Sequence, residues 1–387
     1  MTPPRAERQE AQAASEEVVE VAPGVLRLQL PIPLQGLRHV NTYALEDERG
    51  WTVVDPGMPG PMSWRALEQR CRTAGFLPKD IHTVVVTHSH PDHFGGAGKL
   101  RETAGADVVT SSRFQLWWDA DDVDEADSAT AGRPADAPTD PAGIAELDAD
   151  TEADEARSTS TPGGTTEKEN RARLRRAWKE PTPWGGEPPR PPRRMRIKVR
   201  MLGPFRRRLF PSPRPSIRLD DTQTIRLGRR EWVALHTPGH TADHLCLYEP
   251  GDGILLSGDH VLPSITPHIS GIGAGPDPLA AFITSLDRVA GLEGVRHVLP
   301  AHGHPFTDLP GRVDDIKEHH DQRLERLRGF VAEAGEGTVT DLSHMLFRPR
   351  SWGPMAESET YAHLEHLRLA GDVSRRDAPE GFLYAAR

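Results

Sequence analysis

Cysteine is nearly absent from this chain of 387 residues: only Cys71 and Cys246 occur, too few for a disulfide framework or a thiolate zinc site. Any metal centre therefore has to be built from histidine and carboxylate. Long apolar runs are missing too. No stretch reaches the length of a membrane span, and residues 1–22 are polar and acidic without the apolar segment of a secretory leader. The expectation is a cytoplasmic protein with no membrane partner. Positive charge is in deficit: 47 Lys and Arg against 57 Asp and Glu leave a formal net charge of -10. That balance disfavours wholesale nucleic-acid binding, because neutralising phosphates needs a basic surface. Hydrophobic residues make up only 36%, beside 36 prolines and 35 glycines, which predicts that part of the chain does not join a packed core.

The length predicts two to three domains. Residues 1–16 read as a disordered N-terminus, and residues 17–118 as the first part of an α/β core. Strand-forming residues fill 17–30 and 41–55, Trp64, Leu67, Cys71 and Ala74 recur at helical spacing within 62–75, and 83–87 is a strand. Strand, helix, strand indicates a layered α/β fold. Residues 119–214 form a low-complexity insertion, acidic to Glu155, rich in Ser, Thr and Gly over 158–166, and rich in Arg and Pro over 168–214. Charge runs of this kind read as solvated chain, and a lid whose arginines steer an anionic substrate is the lesser reading. Trp117, Trp118, Trp178 and Trp184, with Met195, Ile197 and Val199, predict that the insertion's edges dock on the core.

The core resumes over 215–335, with strands at 231–236, 253–257 and 295–300 and helices at 278–292 and 309–334. The last helix carries Val313, Ile316, Leu324, Leu327 and Val331 on one side, and His319 and His320 read as its surface. Residues 336–387 then read as a small separate unit with the order of a winged helix: helices at 339–347 and 357–370, followed by an extended pair ending in Phe382-Leu383-Tyr384. Glu357, Glu359 and Glu365 on its second helix would repel phosphate, so packing or a homodimer contact is preferred there to nucleic acid.

The chemistry is concentrated in Thr87-His88-Ser89-His90-Pro91-Asp92-His93, where four candidate ligands fall within six residues at the C-terminal end of an apolar strand. Loops at such ends are where α/β sheets hold ligands. His88 and His90, two apart in an extended loop, can point to one side, while Asp92 and His93 open a helix and can reach a neighbouring position. The spacing suits two adjacent metals. Further candidates follow later strands: His240 in Thr237-Pro238-Gly239-His240-Thr241, Asp259 in Ser257-Gly258-Asp259-His260, and His302 in Pro300-Ala301-His302-Gly303. Imidazole with carboxylate suits zinc, iron or manganese better than calcium or magnesium. His244, His260, His268 and His304 sit close to these motifs and read as structural or substrate-lining.

Together the motif, the strand order and the three distal candidates resemble the metallo-β-lactamase superfamily over the whole chain outside the insertion. The resemblance implies an αββα sandwich in which His88, His90 and His240 hold one metal, Asp92, His93 and His302 hold a second, and Asp259 bridges them. Zinc is the first choice, with iron or manganese as alternatives. It also implies a hydroxide between the two metals as nucleophile, with Asp92 orienting it or shuttling its proton. Asp55, in Val54-Asp55-Pro56-Gly57, matches the family's Asp-x-Gly turn and would hydrogen-bond a ligand or its loop. True β-lactamases lack the bridging aspartate, so Asp259 disfavours antibiotic hydrolysis, and His90 stands where flavin-linked di-iron relatives have glutamate. The 258–263 segment and the terminal unit resemble the β-lactamase-like protein 2 group, related to glyoxalase II. These resemblances imply hydrolysis of a small ester or thioester, with a small-molecule acyl substrate as partner. Two alternatives stand: a metal-dependent single-strand endoribonuclease with RNA as partner, and a mononuclear iron persulfide dioxygenase.

Overall fold

A computed structural model describes residues 8–34, 36–116, 182–185, 211–272, 275–379 and 381–387. Two sheets carry the fold. The first has seven strands in sequential order: β1 (Val18–Ala22), β2 (Val25–Leu34), β3 (Leu37–Asp47), β4 (Gly50–Val54), β5 (Ile81–Val85), β6 (Asp107–Ser111) and β7 (Ile217–Leu219). Pairing is antiparallel from β1 to β4 and parallel from β4 to β7. Parallel neighbours need a crossover, and α1 (Pro61–Thr73) supplies the one between β4 and β5, α3 (Ala97–Ala104) the one between β5 and β6. The second sheet runs β12 (His297–Pro300), β11 (Ile254–Gly258), β10 (Leu245–Glu249), β9 (Arg230–His236) and β8 (Thr224–Leu227).

Alternation along the second sheet separates its two faces. Trp232 and Ala234 of β9, Leu245 and Leu247 of β10, and Ile254 and Leu256 of β11 pack with Tyr43, Leu45, Val54, Val85 and Val109 of the first sheet. The intervening Leu235, Cys246 and Leu255 face the other way, into a cluster with Leu279, Phe282, Leu286 and Val289 of α4 (Pro278–Ala290) and Val313, Ile316 and Leu324 of α5 (Leu309–Ala334). A side-chain period of two thus builds an inter-sheet core on one face and a helix-covered face on the other. This is the αββα sandwich.

The C-terminal elements are β13 (Glu336–Thr338), α6 (Val339–Leu346), α7 (Pro354–Ala370), β14 (Val373–Ala378) and β15 (Gly381–Ala386), the three strands in the order β13-β15-β14. Leu342, Tyr361, Leu364, Leu367 and Tyr384 belong to the same apolar cluster as α4 and α5. The expected separate unit therefore shares its core with the helix-covered face of the second sheet. His320 departs from expectation as well: it is fully buried, with Nδ1 3.0 Å from Nε2 of His363 on α7. Glu359 and Glu365 are paired with Arg323 and with Arg368 and Arg375 instead of standing free on a recognition helix.

Two expectations concern loose chain. Residues 8–16 hold a 3-10 turn, Gln9–Ala11, and Glu10 is buried with both carboxylate oxygens accepting from Ser264 Oγ at 2.8 and 2.6 Å. Most of the charged insertion, with Trp117, Trp118, Trp178, Met195, Ile197 and Val199, lies outside the described residues. Trp184 is described and docks on α7, its ring 4.9 Å from that of Tyr361 and its Nε1 donating to Glu357 Oε2 at 3.2 Å. Among the described residues no helix is long and apolar enough to cross a membrane.

Candidate metal centre

β5 delivers its last residues into the loop Val86-Thr87-His88-Ser89-His90, after which Pro91 opens the short helix α2 (Pro91–Phe94) at a position where its missing N–H costs nothing. Asp92 and His93 thus start a helix while His88 and His90 sit in extended chain before it. His240 follows β9, Asp259 follows β11 and His302 follows β12. Glycines let two of these loops pass. Gly239 has φ +144° and a Cβ there would lie 2.3 Å from Cβ of Phe282; Gly258 has φ +51° and a Cβ would lie 2.7 Å from Nε2 of His244.

The seven predicted side chains meet in two adjoining groups, His88, His90, His240 and Asp259 in one and Asp92, His93 and His302 in the other. In the first, Nε2 of His88 and Nε2 of His240 lie 3.0 and 3.1 Å from Nδ1 of His90. In the second, Asp92 Oδ2 lies 3.6 Å from His93 Nε2 and 3.5 Å from His302 Nε2. Asp259 touches both: Oδ2 is 3.5 Å from His240 Nε2 and 3.6 Å from His93 Nε2, and Oδ1 is 3.3 Å from His302 Nε2. Ser89, His90 and Asp92 are only half-buried and Pro91 is exposed, whereas the other donors are buried. The site therefore opens past that loop.

Four imidazoles are turned the same way by what their other nitrogen meets. His240 Nδ1 lies 2.7 Å from the His268 carbonyl and His302 Nδ1 2.7 Å from the His39 carbonyl. A carbonyl only accepts, so each Nδ1 carries a proton, and in the neutral ring the lone pair falls on Nε2. His93 Nδ1 meets Asp55 Oδ2 at 2.8 Å. Thr87 Oγ1 donates to the same oxygen at 2.8 Å, leaving its own oxygen to accept from His88 Nδ1 at 3.0 Å. Asp55 also takes the Thr87 N–H at 2.9 Å, and it holds φ +54°, a left-handed conformation that aspartate tolerates better than most residues.

Electrostatics point to a cation. Burial pushes His88 well below its ordinary pKa, and burial together with His240 brings His90 down to about 3. His93 goes the other way: burial opposes the proton, but Asp259, Asp92 and Asp55 outweigh it. His302 is likewise raised by Asp259 against the pull of burial, and Asp259, although buried, is held well below the usual carboxylate range by His302 and His93. Three carboxylates, Asp55 and Asp259 buried and Asp92 half-buried, thus gather negative charge around two imidazoles. His93 Nε2, His302 Nε2 and Asp259 Oδ1 are buried without a hydrogen-bond partner, which is how donor atoms look when their partner is a metal ion. The residues fit a pair of metals.

Several residues that hold this geometry carry no motif. Asn41 Nδ2 donates to the carbonyls of Pro300 and Gly303, each at 2.8 Å, and Tyr43 Oη donates to Pro300 at 2.7 Å, fixing the His302 loop from β3. His39 ties that loop to the N-terminal segment, its Nδ1 2.9 Å from the Gln12 carbonyl. His244, which read as structural or substrate-lining, accepts the Asp259 N–H at 3.0 Å. Backbone acceptors leave no signature in a sequence; Asn41 and Tyr43 offered only polar atoms on an apolar strand.

A sequence model described as "Metallo-beta-lactamase superfamily" matches residues 35–333. The chain is 33% identical over 118 residues to an atrochrysone carboxyl ACP thioesterase of Aspergillus chevalieri, covering 28% of this chain and 34% of that protein. It is 28% identical over 156 residues to a beta-lactamase-like protein 2 homolog of Drosophila melanogaster, covering 39% and 50%. The matched stretch spans about a third of the length of the first curated relatives. Among solved structures, a metallo-beta-lactamase family protein from Thermus thermophilus superposes with a TM-score of 0.66 at 27% identity, covering 95% of this chain and 100% of that one.

Proposed function

Because the chain belongs to the metallo-β-lactamase superfamily, we propose that it is a metal-dependent hydrolase that cleaves a small ester or thioester. The observation that carries this reading is the position of Asp259, one carboxylate within 3.6 Å of a histidine nitrogen from each group, from which it could serve both. His88, His90 and His240 would hold the first metal and Asp92, His93 and His302 the second. Zinc suits this neutral-imidazole and carboxylate set, ahead of iron or manganese. When bound, such a pair lowers the pKa of a shared water to supply a nucleophile near neutral pH and polarises the bond under attack.

The protein's own residues do the rest. Asp55, Thr87 and the carbonyls of His39 and His268 fix which nitrogen of His93, His88, His302 and His240 faces the site. Asp92, half-buried on the open side, would orient an attacking water and take up its proton. The other candidate ligands apart from His90 are buried, which leaves the loop from Ser89 to Asp92 as the side from which substrate would approach. The thioester half of this reading is supported by the relative named as an atrochrysone carboxyl ACP thioesterase. Residues 336–387 serve as a winged-helix-like unit that packs on the core, with Glu359 and Glu365 in ion pairs with Arg323 and Arg375.

Metal content by mass spectrometry, then a panel of thioester, lactone, phosphodiester and single-stranded RNA substrates with a His90→Ala control, tests the proposal. Two zincs per chain and thioester or lactone cleavage lost in the variant are expected. Metal-dependent cleavage of RNA alone, or one iron with oxygen uptake on a persulfide, would replace it. A His90→Ala protein with both metals and full activity would sink it.

A further inference from the structure

The segment before α4 is pinned to α7 at three points. Nδ1 of His268 lies 3.4 Å from Glu359 Oε2, Gly271 N donates to Ser358 Oγ at 3.1 Å, and Ile269 is buried in the cluster that includes Tyr361. The fit at Gly271 is close enough that a Cβ would lie 2.6 Å from Cδ1 of Tyr361 and 2.8 Å from the Ser358 carbonyl. Glu359 is itself held: its other oxygen pairs with Arg323 of α5, and the Arg323 guanidinium sits 4.9 Å above the ring of Phe347. At the opposite side of the same segment, the His268 carbonyl accepts from Nδ1 of His240. The C-terminal helices are thus joined to a candidate ligand through Arg323, Glu359, His268 and His240 in turn.

We propose that Glu359 is a positioning residue for the first metal: by anchoring the His268 ring it sets the His268 carbonyl against His240 Nδ1 and so holds the His240 Nε2 lone pair toward the site. This rests on the reading of His240 as a ligand. The physical basis is rigidity, since a carbonyl free to drift would still accept from Nδ1 but over a range of ring orientations, and ligand orientation is what outer partners of metal-bound histidine supply. The device also gives the C-terminal elements a role at the metal centre that requires no basic surface.

The test is a zinc titration against a competing chelator that resolves two binding events, with imidazole ¹H–¹⁵N spectra of the metal-free protein. Removing an outer partner of a ligand histidine costs roughly 10- to 100-fold in metal affinity. Glu359→Ala is expected to weaken the zinc that uses His240 about tenfold and to broaden the His240 Nδ1–H signal while that of His302 stays. Glu359→Gln has one acceptor for two donors and should recover part of the affinity where its oxygen faces His268. Because Glu359→Ala also leaves Arg323 without its carboxylate and could unfold α7, His268→Ala is made in parallel; it keeps the Arg323–Glu359 pair and should reproduce the same selective loss. Unchanged affinity and an unchanged His240 signal in His268→Ala, alongside a His240→Ala control that loses the first zinc, would overturn the inference alone. Equal weakening of both zincs would overturn it too, as general destabilisation. A His240→Ala control that binds both zincs normally would instead remove the ligand assignment underneath.

Discussion

Asp55→Asn changes one atom and puts the control of imidazole orientation to a direct trial. The carboxylate accepts three hydrogen bonds, from Thr87 N on Oδ1 and from Thr87 Oγ1 and His93 Nδ1 on Oδ2. An asparagine has two ways to sit there. With its oxygen at the Oδ2 position it keeps His93 and the Thr87 hydroxyl, but its amide then confronts the Thr87 N–H, donor against donor. Flipped, it satisfies Thr87 N–H and presents the amide to His93, which must give up its Nδ1 proton and keep one on Nε2, aimed at Asp92 and Asp259. The first arrangement leaves a buried donor unpaired at a cost of about 1–3 kcal/mol. The second has to be reversed before a metal can bind, which amounts to roughly a 10- to 100-fold loss of affinity. Backbone strain does not confound the comparison, because asparagine tolerates the φ of +54° as readily as aspartate. Zinc titration should therefore show the metal held by His93 weakened at least tenfold, with the one held by His88, His90 and His240 little changed. Imidazole ¹H–¹⁵N spectra of the metal-free variant should show the His93 Nδ1 proton lost and Nε2 left as the protonated nitrogen. An Asp55→Asn protein that binds both zincs like the parent, keeps the His93 Nδ1 proton and loses no thermal stability would refute the reasoning.

Three further outcomes are expected. His39→Ala removes the ring that joins Gln12 O to Gly303 N while leaving the carbonyl that meets His302, so the zinc on His302 should weaken several-fold in the same titration; unaltered affinity would mean the ring has no part in holding that loop. Chelation should lower the thermal midpoint, since a ligand present at 100 to 1,000 times its Kd stabilises the folded state by about 2.7–4.1 kcal/mol, and a midpoint indifferent to chelator would contradict a resident metal. The His366–Asp277 pair at the start of α4, 3.0 Å apart, should give stability its own pH dependence. The bond to Asp277 raises His366, so that share is complete below the ordinary 6.5 and fades as pH climbs through the raised value. Asp277 is lowered although burial opposes it, chiefly by His366, so its share is complete above 3.8 and fades as pH falls. In denaturation midpoints, His366→Gln should flatten the decline above pH 6.5; an unchanged slope would count against the pair.

The parts of this structure written in side chains were legible in the sequence, and those written in backbone were not. The loop from His88 to His93 declares itself because four donors follow one apolar strand without interruption. Helix α5 matches its expected limits because Asp308 caps its start, accepting from Gly311 N, and Gly335 with φ +71° follows its end. His320 shows how a polar residue misleads. It lies four residues from Ile316 and four from Leu324, on the apolar stripe, and periodicity alone would have buried it; α7 covers that turn and His363 supplies its partner. Strand β10 is only five residues long and follows the His240 loop closely, so it escaped notice although Pro250-Gly251-Asp252-Gly253 marks its end. The acceptors at His39 and His268 are carbonyls, which every residue has, so only the fold reveals that they face imidazoles.

His90 stands apart from the other candidate ligands. The Nδ1 atoms of His88, His93, His240 and His302 are each engaged by a hydroxyl, a carboxylate or a carbonyl outside the donor cluster, so those rings are oriented before any metal arrives. His90 turns Nδ1 itself toward the cluster, and among the described residues its Nε2 has no hydrogen bond that would fix the ring from behind. It is also half-buried, on the open side next to Ser89 and Pro91. Preorganisation in this site is therefore uneven, with four fixed imidazoles and one whose order comes from the contact it makes in the cluster. In metal-free protein the His90 ring should show faster relaxation and broader imidazole signals than the other four, and zinc should sharpen it the most. If His90 proved as rigid as His240 without metal, the outer hydrogen bonds would not be what orders these rings, and the positioning roles argued for Asp55, His39 and Glu359 would lose their common basis.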